Sequence, residues 1–346
     1  MPLSPARHRS LPLRGYREPL ALLPWSTILG GQWRKCRKKD PRCRILDLLI
    51  DTRGVTLLPQ FCSPLKQPAL GVRLTIVIAL KVGDGVVLGA DSATVTADPA
   101  GNYVNSYFNA EKLFNLSKGI PVGAMTYGLG TLAGHSIGYL AKDLRIRFED
   151  SARQDWFVDP SAFTVQQVAE GIKRFFYDEL YTNAYAVHPN SPDMGFLIAG
   201  YAAGATSPEV WRIAIKGGSC IGPDVVYDQA VGGGAVWEGQ GEACHRLLLG
   251  YSPQIVDRLT AAGMTTTDAT NLLQSAQQVV QVTMPIQDAI DLVRYLLELT
   301  GEFVRFVPGL ATVAEPFDIA AVTRHEGFRW VCRKHYYSRE LNLPHP

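Results

Sequence analysis

The sequence predicts an α+β domain in which antiparallel β-sheets pack against helices. Three observations lead to this fold class. Apolar runs joined by short turns of Gly, Asp and Pro recur in pairs, which is typical of β-hairpins. Between these pairs lie long segments whose apolar residues repeat every three to four positions, as in amphipathic helices. The resulting order is strands, two helices, strands, further helices and a closing strand pair, which favours sheets and helices in separate layers.

The first predicted hairpin spans residues 75–91, with the sequence TIVIALKVGDGVVLGAD. Its two apolar runs, residues 76–80 and 86–88, flank a Gly-Asp-Gly turn. Neither run alternates with polar residues, so both strands are expected to be covered on two faces. Because the turn reverses the chain, it can bring Thr75 and Asp91 side by side at the open end of the hairpin.

The chain then turns at residues 98–102 and returns through residues 103–115, which carry Lys112. A further strand is predicted to end at Gly128. Helical spacing follows, with Thr131 as the predicted N-cap. A second helix is predicted over residues 164–181, where apolar residues again recur at helical spacing.

The second half of the domain repeats this organisation. The predicted strands are residues 195–201, 210–215, 227–231, 317–323 and 328–332. A glycine-rich turn containing Ala235 follows the third of these strands. Pro285 suits the first turn of the last long helix, because a proline at that position costs no helical hydrogen bond.

Residues 75–91 resemble the amino terminus of mature proteasome-type β subunits and of the related two-ring bacterial peptidase. In that family of amino-terminal-nucleophile (Ntn) hydrolases, a threonine begins the mature chain, and a strand, an Asp-Gly turn, a second strand and an aspartate follow. Two further landmarks match, namely the segment NAEKLF with Lys112 and the segment AMTYG that ends in Gly128. The resemblance covers about residues 75–330.

This resemblance implies a four-layer αββα sandwich of two antiparallel sheets between helix layers. It implies a threonine-type peptidase with Thr75 as nucleophile, Asp91 and Lys112 as its supporting charges and the amide of Gly128 as oxyanion donor. Thr94 is the candidate for the substrate lining, because the arginine usual after the aspartate is missing. The resemblance implies no cofactor and no metal. The implied partners are a polypeptide substrate, further copies of the chain in a homo-oligomeric ring and an ATPase unfoldase.

The implied chemistry requires Thr75 to be the first residue of the mature chain. A threonine hydroxyl is a weak nucleophile that needs an adjacent base. A chain-terminal threonine supplies that base in its own α-amino group, whose reference pKa is about 8. The ammonium group of Lys112 would lower the pKa of this amine further, while Asp91 holds the lysine charged.

Two further family positions differ in this chain. Ala235 takes the place of a serine that supports the threonine, and Val304 stands where the register of the last long helix places a supporting aspartate. Two alternatives stay open, of which these differences favour the first and the wide use of the same nucleophile chemistry on amides favours the second. One is a non-catalytic ring or scaffold subunit with the same fold, and the other is an amidohydrolase that acts on a small molecule.

Residues 1–74 differ in composition from the predicted domain at residues 75–335. They hold nine of the 22 prolines and carry 14 Lys+Arg against four Asp+Glu, whereas residues 75–346 carry 20 and 28. We interpret them as an extension: a propeptide, a targeting segment, a basic segment that binds nucleic acid, a disordered region, or untranslated sequence before a start at Leu74. Residues 336–346 are expected to form an unstructured tail.

Charge, hydropathy and cysteine spacing exclude several function classes. Residues 75–346 have a net charge of −8 and therefore no basic footprint for nucleic acid. No run of about 18 apolar residues occurs, so no membrane-spanning helix is predicted. The six cysteines include no Cys-x-x-Cys pair, which argues against a zinc site and favours reduced thiols in a cytoplasmic protein.

Overall fold

The computed structural model describes residues 75–97, 103–185, 187, 190–273, 279–308 and 312–334. The predicted extension at residues 1–74 and the predicted tail at residues 336–346 lie outside this part of the chain. The described residues form two five-stranded antiparallel sheets together with helices, which confirms the α+β class. No helix within these ranges is long and apolar enough to cross a membrane.

The strands are β1 Ile76–Val82, β2 Gly85–Ala90, β3 Thr94–Ala97, β4 Tyr103–Tyr107, β5 Leu113–Asn115, β6 Val122–Gly128, β7 Thr131–Leu132, β8 His135–Ser136, β9 Met194–Gly200, β10 Glu209–Lys216, β11 Ser219–Tyr227, β12 Gly234–Gly239, β13 Asp318–Thr323 and β14 Gly327–Cys332. The first sheet has the order β12-β1-β2-β13-β14, and the second has the order β11-β10-β9-β6-β5.

The helices are α1 Ile137–Glu149, α2 Val165–Ile172, α3 Thr182–Ala184, α4 Glu242–Cys244, α5 Pro253–Ala261, α6 Thr266–Leu273 and α7 Ile286–Phe306. Two π-helical segments, Lys173–Tyr181 and His245–Leu249, follow α2 and α4 without a break. The hydroxyl of Thr164 accepts the N–H of Gln167 at 3.0 Å, so α2 begins at the predicted N-cap. Pro285 directly precedes α7, close to its predicted position.

The predicted hairpin forms the centre of the first sheet. β1 and β2 pair antiparallel, with Val77 opposite Ala90, and every residue of both strands is buried. Burial on two faces explains why neither strand alternates with polar residues. Gly89 allows α7 to approach closely, because a Cβ at that position would overlap Val293 of the helix.

Three clusters of buried apolar side chains cover the sheets. One joins the second sheet to α1 and α2, one joins the first sheet to α7, and the third contains residues of both sheets. In the third cluster, Leu88 of β2 and Leu197 of β9 are both completely buried. Each such side chain stabilises the fold by about 1.5–3 kcal/mol. The clusters therefore fix the strand ends that carry polar residues.

The predicted start of the first helix is wrong. Thr131 lies in β7, which pairs with β8 around a turn where Ala133 and Gly134 have φ values of 49° and 80°. The helix α1 begins after this small hairpin. Its N-cap is Ser136, whose hydroxyl accepts the N–H of Tyr139 at 3.2 Å. Helical spacing predicted the helix correctly. Thr131 and Ser136 are both suitable N-cap residues, and the helix starts at Ser136 because the β7–β8 hairpin precedes it.

The strand predicted at residues 227–231 is also wrong. Tyr227 is the last residue of β11, and the next strand, β12, begins only at Gly234. The carboxylate of Asp228 accepts the N–H groups of Ala230 at 2.9 Å and Val231 at 3.1 Å. An aspartate that binds the backbone two and three residues ahead forms a turn, which ends the strand.

Candidate active site

Thr75 and Asp91 meet at the open end of the β1–β2 hairpin, as their spacing predicts. The N–H of Asp91 donates to the backbone oxygen of Ile76 at 3.2 Å, which extends the hairpin pairing by one residue. The hydroxyl of Thr75 donates to Oδ1 of Asp91 at 2.5 Å. Both side chains are completely buried. The hydroxyl and the carboxylate are thus fixed against each other by the pairing of two strands in the core.

Backbone groups also hold the carboxylate of Asp91. Its Oδ1 accepts the N–H of Ile76 at 3.0 Å, and its Oδ2 accepts the N–H of Ala93 at 2.9 Å. Hydrogen bonds to an ionised acceptor are stronger than those between neutral groups. The two oxygens are therefore held in one orientation, with Oδ1 directed towards Thr75.

Lys112 joins this pair from the other sheet. Its Nζ lies 2.7 Å from Oδ1 of Asp91 and also donates to the hydroxyl oxygen of Thr75. The N–H of Thr126 donates to the backbone oxygen of Lys112 at 2.9 Å, which fixes the lysine at the start of β5. Burial lowers the pKa of Lys112 below its ordinary value, although the Asp91 carboxylate opposes this shift.

A narrow pocket beside Lys112 contains two more of the predicted residues, Gly128 and Thr94. Gly128 ends β6 with a φ of 84°, and a Cβ there would overlap the backbone oxygen of Asp193. Only glycine fits both the conformation and the space. Thr94 lines the same pocket, with its hydroxyl close to Gly130. Three of the predicted site residues thus share one pocket.

The end of β12 holds the backbone of Thr75. The N–H of Gln240 donates to the backbone oxygen of Thr75 at 2.6 Å. Gly239, which is paired with Ile76, has a φ of 95°, and a Cβ there would overlap the same backbone oxygen. Sequence reasoning missed both residues. The signal was the second glycine-containing turn, Gly239-Gln240-Gly241, which follows β12.

The prediction that Ala235 takes the place of a supporting serine is wrong. Ala235 is paired with Leu80 near the far end of β1, whereas Ile76 is paired with Gly239. Glycine-containing turns lie on both sides of β12, and the prediction chose the turn that is distant from Thr75. Val304 is buried in α7, in the apolar cluster that joins this helix to the first sheet.

Comparison with known proteins gives a coarse likeness. No protein-family model matches the chain, and no curated protein sequence matches it. Among solved structures, the chain is similar to Anbu (ancestral beta-subunit) from Yersinia bercovieri. The two share 14% sequence identity, the match covers 76% of this chain and 89% of that chain, and the TM-score is 0.40.

A second polar cluster, absent from the sequence predictions, lies next to Asp91. Nζ of Lys334 lies 2.5 Å from the hydroxyl oxygen of Ser92 and 2.5 Å from Oδ2 of Asp318. The hydroxyl of Ser92 donates to the backbone oxygen of Pro316. A serine after the catalytic candidate Asp91 and an aspartate opening an apolar strand were visible in the sequence. A single lysine after the last strand gave no signal.

The described residues include three free thiols, Cys220, Cys244 and Cys332. Within the same ranges, no group of three or more His, Cys, Asp or Glu side chains could hold a metal ion. The groups that meet at the site are the hydroxyl of Thr75, the carboxylate of Asp91, the ammonium group of Lys112 and backbone amides.

Proposed function

We propose that this chain is a threonine-type peptidase, which cleaves peptide bonds through the hydroxyl of Thr75 after removal of residues 1–74. The observation that supports it most strongly is the buried, hydrogen-bonded set of Thr75, Asp91 and Lys112. A threonine with a purely structural role needs no ion pair at its hydroxyl. Burying such a pair costs several kcal/mol per ion before the attraction offsets it.

In the proposed mature chain, the α-amino group of Thr75 acts as the base. It accepts the hydroxyl proton while Oγ1 attacks the carbonyl carbon of the peptide bond. The C–N bond then breaks, and the leaving amine takes the proton from the α-ammonium group, which leaves an acyl ester on Thr75. Water, deprotonated by the same amine, hydrolyses the ester and restores the free hydroxyl. General-base catalysis of this kind contributes about 10²–10⁴ in rate.

Lys112 and Asp91 would support this reaction electrostatically. The ammonium group of Lys112 donates to the oxygen of Thr75 that becomes negatively charged as its proton leaves. Asp91 keeps this ammonium group in place through its bond at 2.7 Å. Because all three groups are buried, their interactions are stronger than they would be in water.

Gly128 and Thr94 are the proposed substrate contacts. Gly128 lines the pocket beside Lys112, and its amide is the proposed donor to the oxyanion. One such donor typically contributes about 2.7–4 kcal/mol to transition-state stabilisation. Thr94, on the same pocket, would contact the substrate side chain that precedes the cleaved bond.

We also propose the four-layer αββα arrangement for the domain. The three apolar clusters support it, since two of them join a sheet to helices and the third joins the two sheets. The sequence resemblance supports a homo-oligomeric ring, a polypeptide substrate and an ATPase unfoldase, and the cysteine pattern supports a cytoplasmic location. Measuring the particle mass in solution by light scattering tests the ring.

The proposed function is tested by comparing wild-type protein with Thr75→Ala, Thr75→Ser and Thr131→Ala on fluorogenic peptides. Thr131 is an exposed strand threonine and serves as the control. We expect no hydrolysis by Thr75→Ala, reduced hydrolysis by Thr75→Ser and unchanged hydrolysis by the control. Hydrolysis by Thr75→Ala at the wild-type rate would contradict the proposal. Cleavage of small amides but not peptides would favour the amidohydrolase instead.

A further inference from the structure

Two buried lysine–aspartate pairs lie at the same end of the first sheet. The first pair is Lys112 with Asp91. The second is Lys334 with Asp318, whose side chains are 8% and 2% exposed and whose Nζ and Oδ2 atoms lie 2.5 Å apart. Burying an ion pair costs desolvation energy that the attraction often fails to offset. Stability is therefore a weak explanation for the second pair.

Ser92 connects the second pair to the first. It follows Asp91 directly in the chain, and its hydroxyl accepts a hydrogen bond from Lys334 at 2.5 Å. Its backbone oxygen accepts the N–H of Ala110 at 3.0 Å, and Ala110 stands two residues before Lys112. Ser92 thus contacts the segments that carry both members of the first pair.

Asp318 fixes the position of Lys334. Besides the ion pair, Oδ1 of Asp318 accepts the backbone N–H of Lys334 at 3.0 Å. Asp318 itself is held in register opposite Ala90 of β2, the residue before Asp91. Both the backbone and the ammonium group of Lys334 are therefore tied to the strand next to the hairpin.

We infer that Lys334 is a positioning residue for the Thr75 site, which holds Ser92 behind Asp91 and places a second positive charge beside Lys112. The catalytic meaning of this inference rests on the proposed function. Burial is the main cause that lowers the pKa of Lys112, and the nearby charge of Lys334 lowers it further, because two positive charges disfavour each other's protonated form. The same charge would lower the pKa of the α-amino group of Thr75 and keep more of it unprotonated near neutral pH.

Other charged groups surround this cluster and also act on the protonation of Lys112. They are Asp91 after β2, Glu111 beside Lys112, Lys142 and Arg145 on α1, Asp318 on β13 and Arg333 beside Lys334. Glu111 lies 3.2 Å from Lys142 and 3.9 Å from Arg333, so its charge is largely balanced by theirs. Removing the charge of Lys334 would leave the carboxylate of Asp318 without its ion-pair partner.

The first test does not depend on hydrolysis. The pKa of Lys112 is measured by NMR on the full chain with ¹³C-labelled lysine, and its signal is assigned from a Lys112→Arg sample. We expect Lys334→Met to raise this pKa, since a positive charge is lost and Asp318 is left unpaired. Lys334→Arg should restore the wild-type value. The surface control Lys216→Met should leave it unchanged.

The second test is the pH profile of kcat/KM on a fluorogenic peptide. We expect the acid limb of Lys334→Met to move to higher pH, and each pH unit of that shift lowers kcat/KM about tenfold on that limb. The double variant D318N/K334M removes both charges and should fall between Lys334→Met and wild type. Thermal unfolding of each variant checks that the proteins remain folded.

The outcomes separate the two proposals. An unchanged pKa of Lys112 in Lys334→Met and in the double variant would overturn the positioning role, as would a uniform loss of activity with an unshifted profile. Should the wild-type protein hydrolyse no peptide, the proposed function fails, and the NMR titration still decides whether Lys334 acts on Lys112.

Discussion

The hydroxyl of Thr75 and the carboxylate of Asp91 lie 2.5 Å apart, although the two residues are 16 positions apart in the chain. The two strands between them are entirely buried and pair in a single register. A slip of one residue would turn every apolar side chain of a strand to the opposite face, which burial makes costly. The contact between the two polar residues is therefore determined by the packing of the apolar ones.

Removing the charge of Asp91 is expected to destabilise the fold. In Asp91→Asn, Lys112 remains buried without its carboxylate, and breaking a buried pair in this way costs about 3–5 kcal/mol. The double variant D91N/K112M removes both charges and should recover part of this loss. Urea unfolding measures the free energy in each case. Glu302→Gln, which breaks an exposed pair with Arg305, should change it by less than about 1 kcal/mol. A similarly small change in Asp91→Asn would show that the pair is not important for stability.

Replacing Gly128 by alanine should damage the site through steric overlap. Gly128 and Gly134 have φ values of 84° and 80°, so alanine carries a backbone strain of about 1–2 kcal/mol at either position. A Cβ at Gly128 would overlap the backbone oxygen of Asp193, whereas nothing lies within 4 Å at Gly134. We expect Gly128→Ala to lose both thermal stability and peptide hydrolysis. Gly134→Ala should lose only the stability that corresponds to the backbone strain and should keep its hydrolysis. Equal effects of the two variants would contradict this account.

Gly239 offers a sharper comparison, because it tests the support of the Thr75 backbone. Gly239 and Gly263 have nearly equal φ values of 95° and 96°. A Cβ at Gly239 would overlap the backbone oxygen of Thr75, but a Cβ at Gly263 meets nothing within 4 Å. Gly239→Ala should therefore reduce kcat for peptide hydrolysis well beyond Gly263→Ala at matched thermal stability. Indistinguishable kcat values would mean that the end of β12 does not position Thr75.

The buried thiol of Cys244 predicts a loss of stability at alkaline pH. Burial raises the pKa of this thiol from 9.0 to about 11. The thiol ionises in the unfolded chain before it ionises in the folded protein. The stabilisation that the buried, protonated thiol contributes to the free energy of unfolding is therefore fully present below about pH 9 and is lost as the pH rises towards 11. Two pKa units correspond to about 2.7 kcal/mol. The free energy of unfolding should fall less steeply between pH 8 and pH 11 in Cys244→Ala than in wild type. Parallel curves would show that the thiol is not buried.

The sequence contained enough information to predict the hairpin and the residues at its ends. Continuous apolar runs around a Gly-Asp-Gly turn are a local signal, and local signals need no knowledge of the remaining fold. The position of Lys112 beside Thr75 depends on contact between the two sheets. It came from the family resemblance and not from spacing, because no local pattern specifies which sheet faces which.

Several of the contacts that sequence reasoning missed depend on pairing between distant strands. Gly239 reaches Thr75 because β12 pairs with β1, and Asp318 reaches the hairpin because β13 pairs with β2. The periodicity of a single strand does not predict the order of strands in a sheet. The error at Ala235 has the same origin, since the register of β12 decides which of two glycine turns meets the threonine.

The most direct test of the account is the adduct formed with a peptide epoxyketone, which requires both groups assigned to Thr75. The hydroxyl adds to the ketone and the free α-amine opens the epoxide, so a ring forms and the mass rises by that of the whole probe. Tandem mass spectrometry of the labelled protein should place this ring on an amino-terminal peptide that begins at Thr75, and Thr75→Ala should give none. An active protein in which the nitrogen of Thr75 remains bonded to Leu74, with no such ring, would contradict the central claim.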